Sequence, residues 1–351
     1  MIFETALHIV VFAVSLGGIR AFIGWSRKRR ILDVPNERSS HSRPVPVGAG
    51  LVIALTVLAS LLVFLAFVVR SDDRLRPGHL AAYFIGATVL VAVSWLDDIR
   101  AVPVVVRFAI HSAAAVALIW ASAGWIDAFG DLWWAGCLIS FVWIVGLTNA
   151  YNFMDGIDGI AGIQAVTAGV GWGIIGMLSG ADLVSFAGFS VTAASLAFLI
   201  FNWQPAKVFM GDSGSAFLGF SFAALPMLYW AERGTDPLVP DSPWLAGLMA
   251  VGLIWPFVLD SSMTFFRRLF RGERVWEPHR RHLYQAMVIN GWSHGEVSTV
   301  YGVCGAACTA AVIMSALYHF SVYPLLAALA VVALLLLVFA SLSGSGKVSG
   351  I

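Results

Sequence analysis

The chain has 351 residues, of which 59% are hydrophobic and only 12% are charged, whereas an ordinary soluble domain carries about 25% charged residues. This composition excludes a soluble globular domain, and the net charge of +1 gives no sign of a nucleic-acid partner. Several stretches of about 20 residues without Asp, Glu, Lys or Arg are long enough as helices to cross a hydrocarbon core. The sequence therefore predicts a polytopic membrane protein.

Hydropathy predicts an all-α protein with about 11 membrane-spanning helices. The predicted spans are 2–24, 48–69, 79–96, 104–123, 132–150, 157–178, 184–201, 213–230, 244–263, 296–318 and 322–342. No large soluble region or internal repeat separates these spans, so we expect one integral membrane domain over residues 1–351.

The basic residues predict the orientation of the chain. With the N-terminus outside and the C-terminus in the cytoplasm, most of the 21 Lys and Arg residues fall in cytoplasmic loops, as the positive-inside rule requires. The cytoplasmic loops are then 26–47, 97–103, 148–156, 202–212 and 265–295. Each motif described below lies in or beside one of these loops, and we expect a multi-pass protein of the cell (inner) membrane with its active site facing the cytoplasm.

The first cytoplasmic loop combines prolines, which stiffen the chain, with several basic residues. Such bases suit anionic lipid head groups or a lipid phosphate, and we predict substrate contact for His41 and Arg43. The cluster Arg27–Arg30 is explained equally well as an anchor that follows the positive-inside rule.

Two adjacent carboxylates, Asp97 and Asp98, end the third predicted span. At a membrane face such a pair can orient a metal ion, or one carboxylate can deprotonate a nucleophile while the other holds position. The alternative is a helix end stopped by charges, in which Arg100 pairs with Asp97 at i, i+3. Because a carboxylate beside a lipid phase is costly, we favour a functional site.

The start of the sixth predicted span contains Asn152, Asp155 and Asp158. If the first turn there is helical, the two aspartates lie three residues apart on one face, next to glycines that let a ligand approach. A free helix N-terminus would also suit a phosphate. Capping of the helix explains one carboxylate but not two with an asparagine, so we predict a catalytic role for both aspartates and substrate binding by Asn152.

Asp212 stands at a helix start rich in small residues, between predicted spans seven and eight. It suits a magnesium ligand, because Mg²⁺ usually takes one or two protein carboxylates together with phosphate oxygens and water. A helix N-cap is the alternative. In the same loop, Lys207 either neutralises a substrate phosphate or anchors the loop by snorkelling to the membrane surface.

The longest basic loop contains His279, Arg280, Arg281 and His282. Two arginines beside two histidines can clamp a diphosphate through charge-assisted hydrogen bonds. A solvated surface loop is the alternative interpretation, and a zinc site is disfavoured because no further ligands are nearby in sequence.

Five segments of the chain match one family of membrane enzymes in the family's order. They are PNERSSHSRPVPVGAG, LDDIR, NAYNFMDGIDGIAG, NWQPAKVFMGDSGSAFLGF and HRRHLYQ, which extend from about residue 33 to residue 285. Through them the chain resembles the polyprenyl-phosphate N-acetylhexosamine-1-phosphate transferases of glycosyltransferase family 4. The segments NFMDGIDGIAG and HRRHLYQ are more similar to the branch that initiates O-antigen synthesis than to the peptidoglycan translocase.

The resemblance implies an enzyme that moves a sugar-1-phosphate from a UDP-N-acetylhexosamine to a polyprenyl phosphate such as undecaprenyl phosphate, releasing UMP. It implies Mg²⁺, with Mn²⁺ as a substitute, and a role in initiating surface polysaccharide. The implied residues are Asp97 as base or nucleophile with Asp98 beside it, Asn152, Asp155 and Asp158 near the nucleotide and metal, Asp212 and Asp98 as metal ligands, and His279 and His282 near the diphosphate.

Physical reasoning about the substrates agrees with this function. A lipid phosphate approaches from the bilayer and a nucleotide sugar from the cytoplasm, so Mg²⁺ and the basic loops must screen two anions that repel each other. We favour direct attack by the lipid phosphate, with Asp97 accepting its proton if one is present. A covalent aspartyl intermediate stays open.

Two other functions are less compatible with the sequence. A membrane transporter of an anionic substrate is the main alternative, although transporters tend to place ionisable groups near the bilayer midplane. An intramembrane aspartyl protease is disfavoured, because Phe209 stands where the Gly-x-Gly-Asp signature has its first glycine. The sugar, the lipid length and the oligomeric state, including a homodimer, stay open.

Overall fold

The computed structural model describes residues 2–35, 43–67, 77–233, 242–274, 279–318 and 322–345. Its helices are α1 (Ile2–Arg29), α2 (Gly50–Phe67), α3 (Pro77–Ile99), α4 (Val104–Ala121), α5 (Ala123–Asp127), α6 (Trp133–Met154), α7 (Ile160–Ser179), α8 (Asp182–Asn202), α9 (Asp212–Glu232), α10 (Pro243–Leu253), α11 (Trp255–Phe270), α12 (Leu283–Ile289), α13 (His294–Leu317) and α14 (Val322–Ser345). A 3-10 turn covers Gly130–Leu132, and two short antiparallel strands are β1 (Leu32–Asp33) and β2 (Val45–Pro46). The predicted all-α class is confirmed.

Ten of the described helices are each long and apolar enough to cross a membrane. Helices α10 and α11 pass the same criterion only as a pair and are bent by 88° at the break between them, so they make an eleventh crossing if the pair is one span. The span predicted over 244–263 is therefore broken near its middle, and the predicted number of about 11 spans agrees with the ten helices and this pair. Ile254 leaves the helical conformation, and Pro256 lies in the first turn of α11, where its missing N–H costs no helical hydrogen bond. The orientation of the termini stays a prediction.

Helix α9 lies at the centre of the bundle. In its most apolar stretch 89% of the residues are buried, against 17% for α1 and 22% for α14. Helices α3 and α6 pack against α9, and α7 and α8 pack against each other. Glycine makes the second pair possible, since a Cβ on Gly188 would lie 2.6 Å from the carbonyl oxygen of Gly169. Small residues at such contacts are typical of helices in membranes.

Successive spans alternate in direction, so the connections α1–α2, α3–α4, α6–α7 and α8–α9 lie at one end of the bundle, which we call the site end. Backbone hydrogen bonds join two of these connections. The N–H of Phe209 donates to the carbonyl oxygen of Pro46 at 2.8 Å, and the N–H of Gly50 donates to that of Met210 at 2.8 Å. The first loop thus packs directly on the loop that precedes α9.

Helix boundaries near the acidic motifs differ from the predicted spans by a few residues. Helix α3 extends to Ile99, so Asp97 and Asp98 lie in its last turn. Helix α7 begins only at Ile160, because Gly159 has a φ of +85°, a conformation that glycine adopts readily. Asp155 and Asp158 therefore lie in the connection before α7, and the helical turn that would have placed them on one face is not formed.

Candidate functional site

The carboxylate of Asp98 caps helix α9 from the end of helix α3. Its Oδ1 accepts a hydrogen bond from the N–H of Asp212 at 2.7 Å, and its Oδ2 accepts from the N–H and the hydroxyl of Ser213 at 3.2 and 2.8 Å. These contacts satisfy N–H groups that have no partner inside α9 and place a negative charge at the positive end of the helix. Asp98 therefore fixes the position of Asp212.

Glycine is required where the loops pass Asp98. Gly211 has a φ of +77°, and a Cβ there would lie 2.7 Å from Asp98 Oδ1. Gly48 has a φ of +96°, and a Cβ there would press against the ring of Trp95 and approach Asp98. Two loops that are far apart in sequence thus close around this carboxylate, which explains two of the glycines in the motifs.

Arg107 links Asp97 to Asp212. Its Nη1 forms an ion pair with Asp97 Oδ2 and a second one, at 2.8 Å, with Asp212 Oδ2. The other oxygen of Asp97 accepts a hydrogen bond from the N–H of Val102 at 2.6 Å. The sequence analysis did not single out Arg107 among the basic residues of the cytoplasmic side. The one signal in the sequence is its place ten residues after Asp97, near the start of the next span.

Asn152 binds Asp212 from the opposite side. Its Nδ2 donates to Asp212 Oδ1 at 2.8 Å and to Ser215 Oγ at 2.9 Å. Both oxygens of Asp212 are therefore engaged, one by a guanidinium and one by an amide. The four helices that carry these groups, α3, α4, α6 and α9, meet at this carboxylate, so the predicted residues Asp97, Asp98, Asn152 and Asp212 form one cluster.

Asp155 differs from the other acids of the site end. Its side chain is partly buried, yet within the described part of the chain its carboxylate accepts no hydrogen bond. Burial first, and then the charges of Asp212 and Asp98, raise the pKa of Asp155 well above its usual value. An unsatisfied carboxylate near other acids is costly, so this position favours the binding of a cation.

Asp158 connects three parts of the site end through its hydrogen bonds. It is buried, its Oδ2 accepts from the N–H of Ala206 at 3.0 Å, and its Oδ1 lies 3.3 Å from Nδ1 of His294. Its carbonyl oxygen accepts from the hydroxyl of Ser298 at 2.7 Å. These bonds join the α6–α7 connection to the α8–α9 loop and to α13. His294, which has no neighbouring motif in the sequence, is thus part of the site end, while a catalytic role for Asp158 stays a prediction.

The two histidines of the basic loop are stacked on each other. Their ring centroids are 4.9 Å apart, and His282 is buried with its Nδ1 3.0 Å from Oδ1 of Asp260. Burial first, and then the neighbouring His282, lower the pKa of His279 to about 4. The His279 imidazole is therefore neutral at pH 7, where it can form a hydrogen bond with a phosphate but adds no positive charge.

Positive charge in this loop comes from the arginines. Arg281 forms an ion pair with Glu273 and is about half exposed. Arg280 is exposed and has no ion pair with any residue that the structure describes. Arg280 is thus more readily available to an incoming anion than Arg281.

The remaining predicted contacts lie at the edge of the site end. Lys207 is exposed in the loop before α9, and its N–H donates to the carbonyl oxygen of Phe201 at 2.7 Å. Arg43 is exposed just before β2. His41 lies outside the described residues. Lys207 and Arg43 are positioned at the surface, and their substrate contacts stay predictions.

The chemistry of the side chains fits a magnesium ion better at Asp155 and Asp212 than at Asp98. Asp98 accepts three hydrogen bonds, whereas Asp155 accepts none from described residues. No group of three His, Cys, Asp or Glu side chains suited to a metal occurs among the described residues. Mg²⁺ does not need one, because one or two carboxylates suffice when substrate phosphates and water complete its shell.

Comparisons with known proteins give concordant matches. A family model described as glycosyl transferase family 4 matches residues 80–229, the region from α3 to α9. A probable undecaprenyl-phosphate N-acetylglucosaminyl 1-phosphate transferase of Bacillus subtilis is 26% identical over 306 residues, which cover 84% of this chain and 81% of the relative. A decaprenyl-phosphate N-acetylglucosaminephosphotransferase of Mycobacterium leprae is 29% identical over 324 residues, or 84% and 77% of the two chains.

A shorter match involves a different type of relative. A phospho-N-acetylmuramoyl-pentapeptide-transferase of Listeria welshimeri is 31% identical over 186 residues, which cover 50% of this chain and 53% of the relative. The matches to the N-acetylglucosamine transferases thus extend much further along the chain than this one.

Proposed function

Because this chain belongs to glycosyl transferase family 4, we propose that it transfers an N-acetylhexosamine-1-phosphate from a UDP-sugar to a polyprenyl phosphate. The products are a polyprenyl-diphosphate sugar and UMP. The chain is a multi-pass membrane protein, and the reaction takes place at the predicted cytoplasmic surface. The two relatives that match over most of the chain carry names of this type of transferase.

The convergence of Asp97, Asp98, Asp155 and Asp212 at one end of the bundle is the observation that carries this proposal. These acids lie at helix ends that are far apart in sequence, and they meet where a nucleotide arrives from the aqueous side and a lipid phosphate from the bilayer. A cluster at the surface supports transfer between these two substrates. A transporter would instead be expected to hold its ionisable groups near the midplane.

Asp155 and Asp212 are the residues that would hold Mg²⁺, with Asn152 fixing the second of them. When bound there, the ion would offset phosphate charge and act as a Lewis acid on the phosphoryl group. Asp98 serves this arrangement indirectly, because it holds the N-terminal residue of α9 in place. We thus assign Asp98 to positioning and Asp155 to the metal, which revises the ligand pair that the sequence favoured.

The acceptor needs little help from a general base. The second pKa of a phosphate monoester is about 6, so most of the lipid phosphate has already lost its proton at pH 7. Both oxygens of Asp97 are engaged, by Val102 and by Arg107. Asp97 therefore acts chiefly by orienting Arg107, whose guanidinium lies between two acids and offsets the repulsion that they exert on an incoming phosphate.

The donor diphosphate is held by the basic loop. Arg280 is exposed and can pair with phosphate oxygens, while the neutral His279 can donate one hydrogen bond to them. Positive charge at this point also stabilises UMP as the leaving group. Direct attack of the lipid phosphate on the sugar-linked phosphorus then needs no covalent enzyme intermediate, and positioning and charge neutralisation supply most of the rate.

The donor in this proposal is a UDP-N-acetylhexosamine and the acceptor is undecaprenyl or a similar polyprenyl phosphate. The product would begin the synthesis of a surface polysaccharide of the O-antigen type. Support comes from the names of the relatives, which specify N-acetylglucosamine and prenyl chains of two lengths, and from the resemblance of the NFMDGIDGIAG and HRRHLYQ segments to that branch.

The test is release of UMP by the purified full-length protein in lipid nanodiscs. UMP should appear only when a UDP-N-acetylhexosamine, polyprenyl phosphate and Mg²⁺ are all present. Asp212→Asn should reduce the rate by a factor of about 100 or more, since it removes charge at the centre of the cluster. Asp182→Asn is the matched control, because Asp182 is an exposed acid in the first turn of α8, at the opposite end of the bundle.

Two outcomes would contradict the proposal. In one, UMP is released at the same rate without the lipid phosphate, which would indicate a hydrolase. In the other, Asp212→Asn and Asp182→Asn release UMP at equal rates, which would show that the acid cluster does not take part in the reaction.

A further inference from the structure

Asp260 is a fully buried acid in α11 that no sequence motif singled out. Its carboxylate accepts from the N–H groups of Leu283 and Tyr284 at 2.8 and 3.2 Å and from the hydroxyl of Tyr301 at 2.6 Å. It also contacts Nδ1 of His282 at 3.0 Å. A buried carboxylate with this many donors is fully satisfied, and removal of its charge would leave several of them without a partner.

The contacts of Asp260 determine where helix α12 begins. The N–H groups of Leu283 and Tyr284 belong to the first turn of α12, where backbone donors have no partner inside the helix. Asp260 supplies that partner from another helix and places a negative charge at the positive end of α12. Because α12 follows directly after the basic loop, this one carboxylate fixes the end of that loop as well.

Helix α12 is also in contact with the connection that carries Asp155. The hydroxyl of Tyr284 donates to the carbonyl oxygen of Phe153 at 3.1 Å. Gly156 faces the same hydroxyl so closely that a Cβ there would collide with it. The register of α12 against residues 153–156 is therefore set by a hydrogen bond and by a close steric fit.

The basic loop is stacked on the start of α12. The ring of His282 lies between those of His279 and Tyr284, at centroid distances of 4.9 and 5.7 Å. With Nδ1 of His282 held by Asp260, the imidazole cannot rotate without breaking that bond. The stack therefore transmits the position of Asp260 to His279 and to the neighbouring Arg280.

We propose that Asp260 is a positioning residue that holds the segment 279–282 at a fixed place beside Asp155, so that this segment can receive the donor diphosphate. This inference rests on the proposed function. It specifies that Asp260 acts on binding of the UDP-sugar and not on binding of the lipid, because its contacts lead to the basic loop and to the α6–α7 connection.

A second buried acid provides a matched control. Glu232 is also fully buried, and its carboxylate accepts from the N–H groups of Leu183 and Val184 at 2.7 and 3.1 Å, at the start of α8. It therefore caps a helix from a neighbouring helix, as Asp260 does, but at the opposite end of the bundle. A residue that acts only on stability should behave as Glu232 does.

The experiment compares Asp260→Asn with Glu232→Gln in nanodiscs, by thermal unfolding and by steady-state kinetics with each substrate varied. Both variants should lower Tm. Only Asp260→Asn should raise KM for the UDP-sugar, by about 10-fold, which corresponds to the loss of one or two hydrogen bonds to a charged group. Its KM for polyprenyl phosphate should stay within about twofold of wild type. Tyr301→Phe, which removes a single bond to Asp260, should raise the donor KM by about threefold.

A tryptic assay without substrate keeps the inference independent of the proposed activity. Cleavage after Arg280 and Arg281, identified by mass spectrometry well below Tm, should be about 10-fold faster in Asp260→Asn than in wild type or Glu232→Gln. The inference is overturned if cleavage is equal in the three proteins, or if the two acid variants change the donor KM alike. Wild-type protein that releases no UMP with any UDP-sugar would refute the proposed function alone, and the tryptic result would still decide whether Asp260 holds the loop.

Discussion

Asp155→Asn should make the protein inactive and more stable at the same time. Asp155 accepts no hydrogen bond from described residues, and its pKa is raised by burial and by the charges of nearby acids. Asparagine has nearly the same shape without the charge. The substitution therefore removes repulsion and a desolvation cost while it breaks no bond, and it also removes the carboxylate that we assign to the metal.

The sign of the stabilisation follows from linkage between protonation and folding. An acid with a raised pKa in the folded state binds its proton more tightly there than in the unfolded chain, so the stability of the wild type falls as pH rises above the ordinary value of 3.8. The asparagine variant does not lose stability in this way, so the difference in stability between the variant and the wild type should grow from about pH 4 upward. At pH 7 we expect a gain of ~1 kcal/mol, within the range of single stabilising substitutions.

Thermal unfolding in nanodiscs across this pH range, together with UMP release, measures both effects. The rate should fall by a factor of about 100 or more. Asp98→Asn is the informative comparison, because it should also be inactive. Its free energy of unfolding should fall by ~1–3 kcal/mol, since the N–H donors at the start of α9 lose their carboxylate partner. A lower Tm for Asp155→Asn, or a rate close to that of the wild type, would refute the reasoning.

Three further predictions concern the charges of the site end. Arg107→Met should reduce UMP release by a factor of about 30 or more, because it leaves Asp97 and Asp212 without their shared cation, and Arg107→Lys should recover part of the rate; equal rates for both variants would contradict this. His279→Asn should lower the rate by the same factor across about pH 6–8, since the pKa of His279 is about 4; a pH–rate profile with a shifted limb would show that the ring titrates in this range. Treatment with EDTA should abolish UMP release, and Mg²⁺ or, less well, Mn²⁺ should restore it; full activity after chelation would exclude the metal.

The sequence predicted the end of the bundle at which the acids meet, because hydropathy determines which loops share a side and the acids lie in those loops. It could not distinguish the roles of adjacent or nearby carboxylates. Asp97, Asp98 and Asp155 are all aspartates near the ends of predicted spans. In the structure Asp97 pairs with an arginine, Asp98 caps a helix, and the carboxylate of Asp155 accepts no hydrogen bond from the described residues. These differences depend on side chains that arrive from other helices.

The residues that sequence reasoning missed have their partners far away along the chain. Arg107 and Asp212 are separated by 105 positions, and His294 and the N–H of Asp158 by 136. Asp260 contacts the first turn of α12 across only 23 and 24 positions, but the bend between α10 and α11, which sets the direction of the helix that carries Asp260, was not predicted. A hydropathy pattern indicates that a segment spans the membrane and does not indicate where the helix breaks.

The burial of α9 has a consequence for how the protein can vary. Helices α1 and α14 have few buried residues, so a library of random substitutions should find them permissive to exchanges among apolar residues. Helix α9 has neighbours on nearly every side, and its first residue is Asp212. A larger side chain at Phe222, about 15 Å along the helix from Asp212, would shift α9 as a unit. Its effect would therefore be measured as a lower rate of UMP release, although the substitution lies far from the acid cluster.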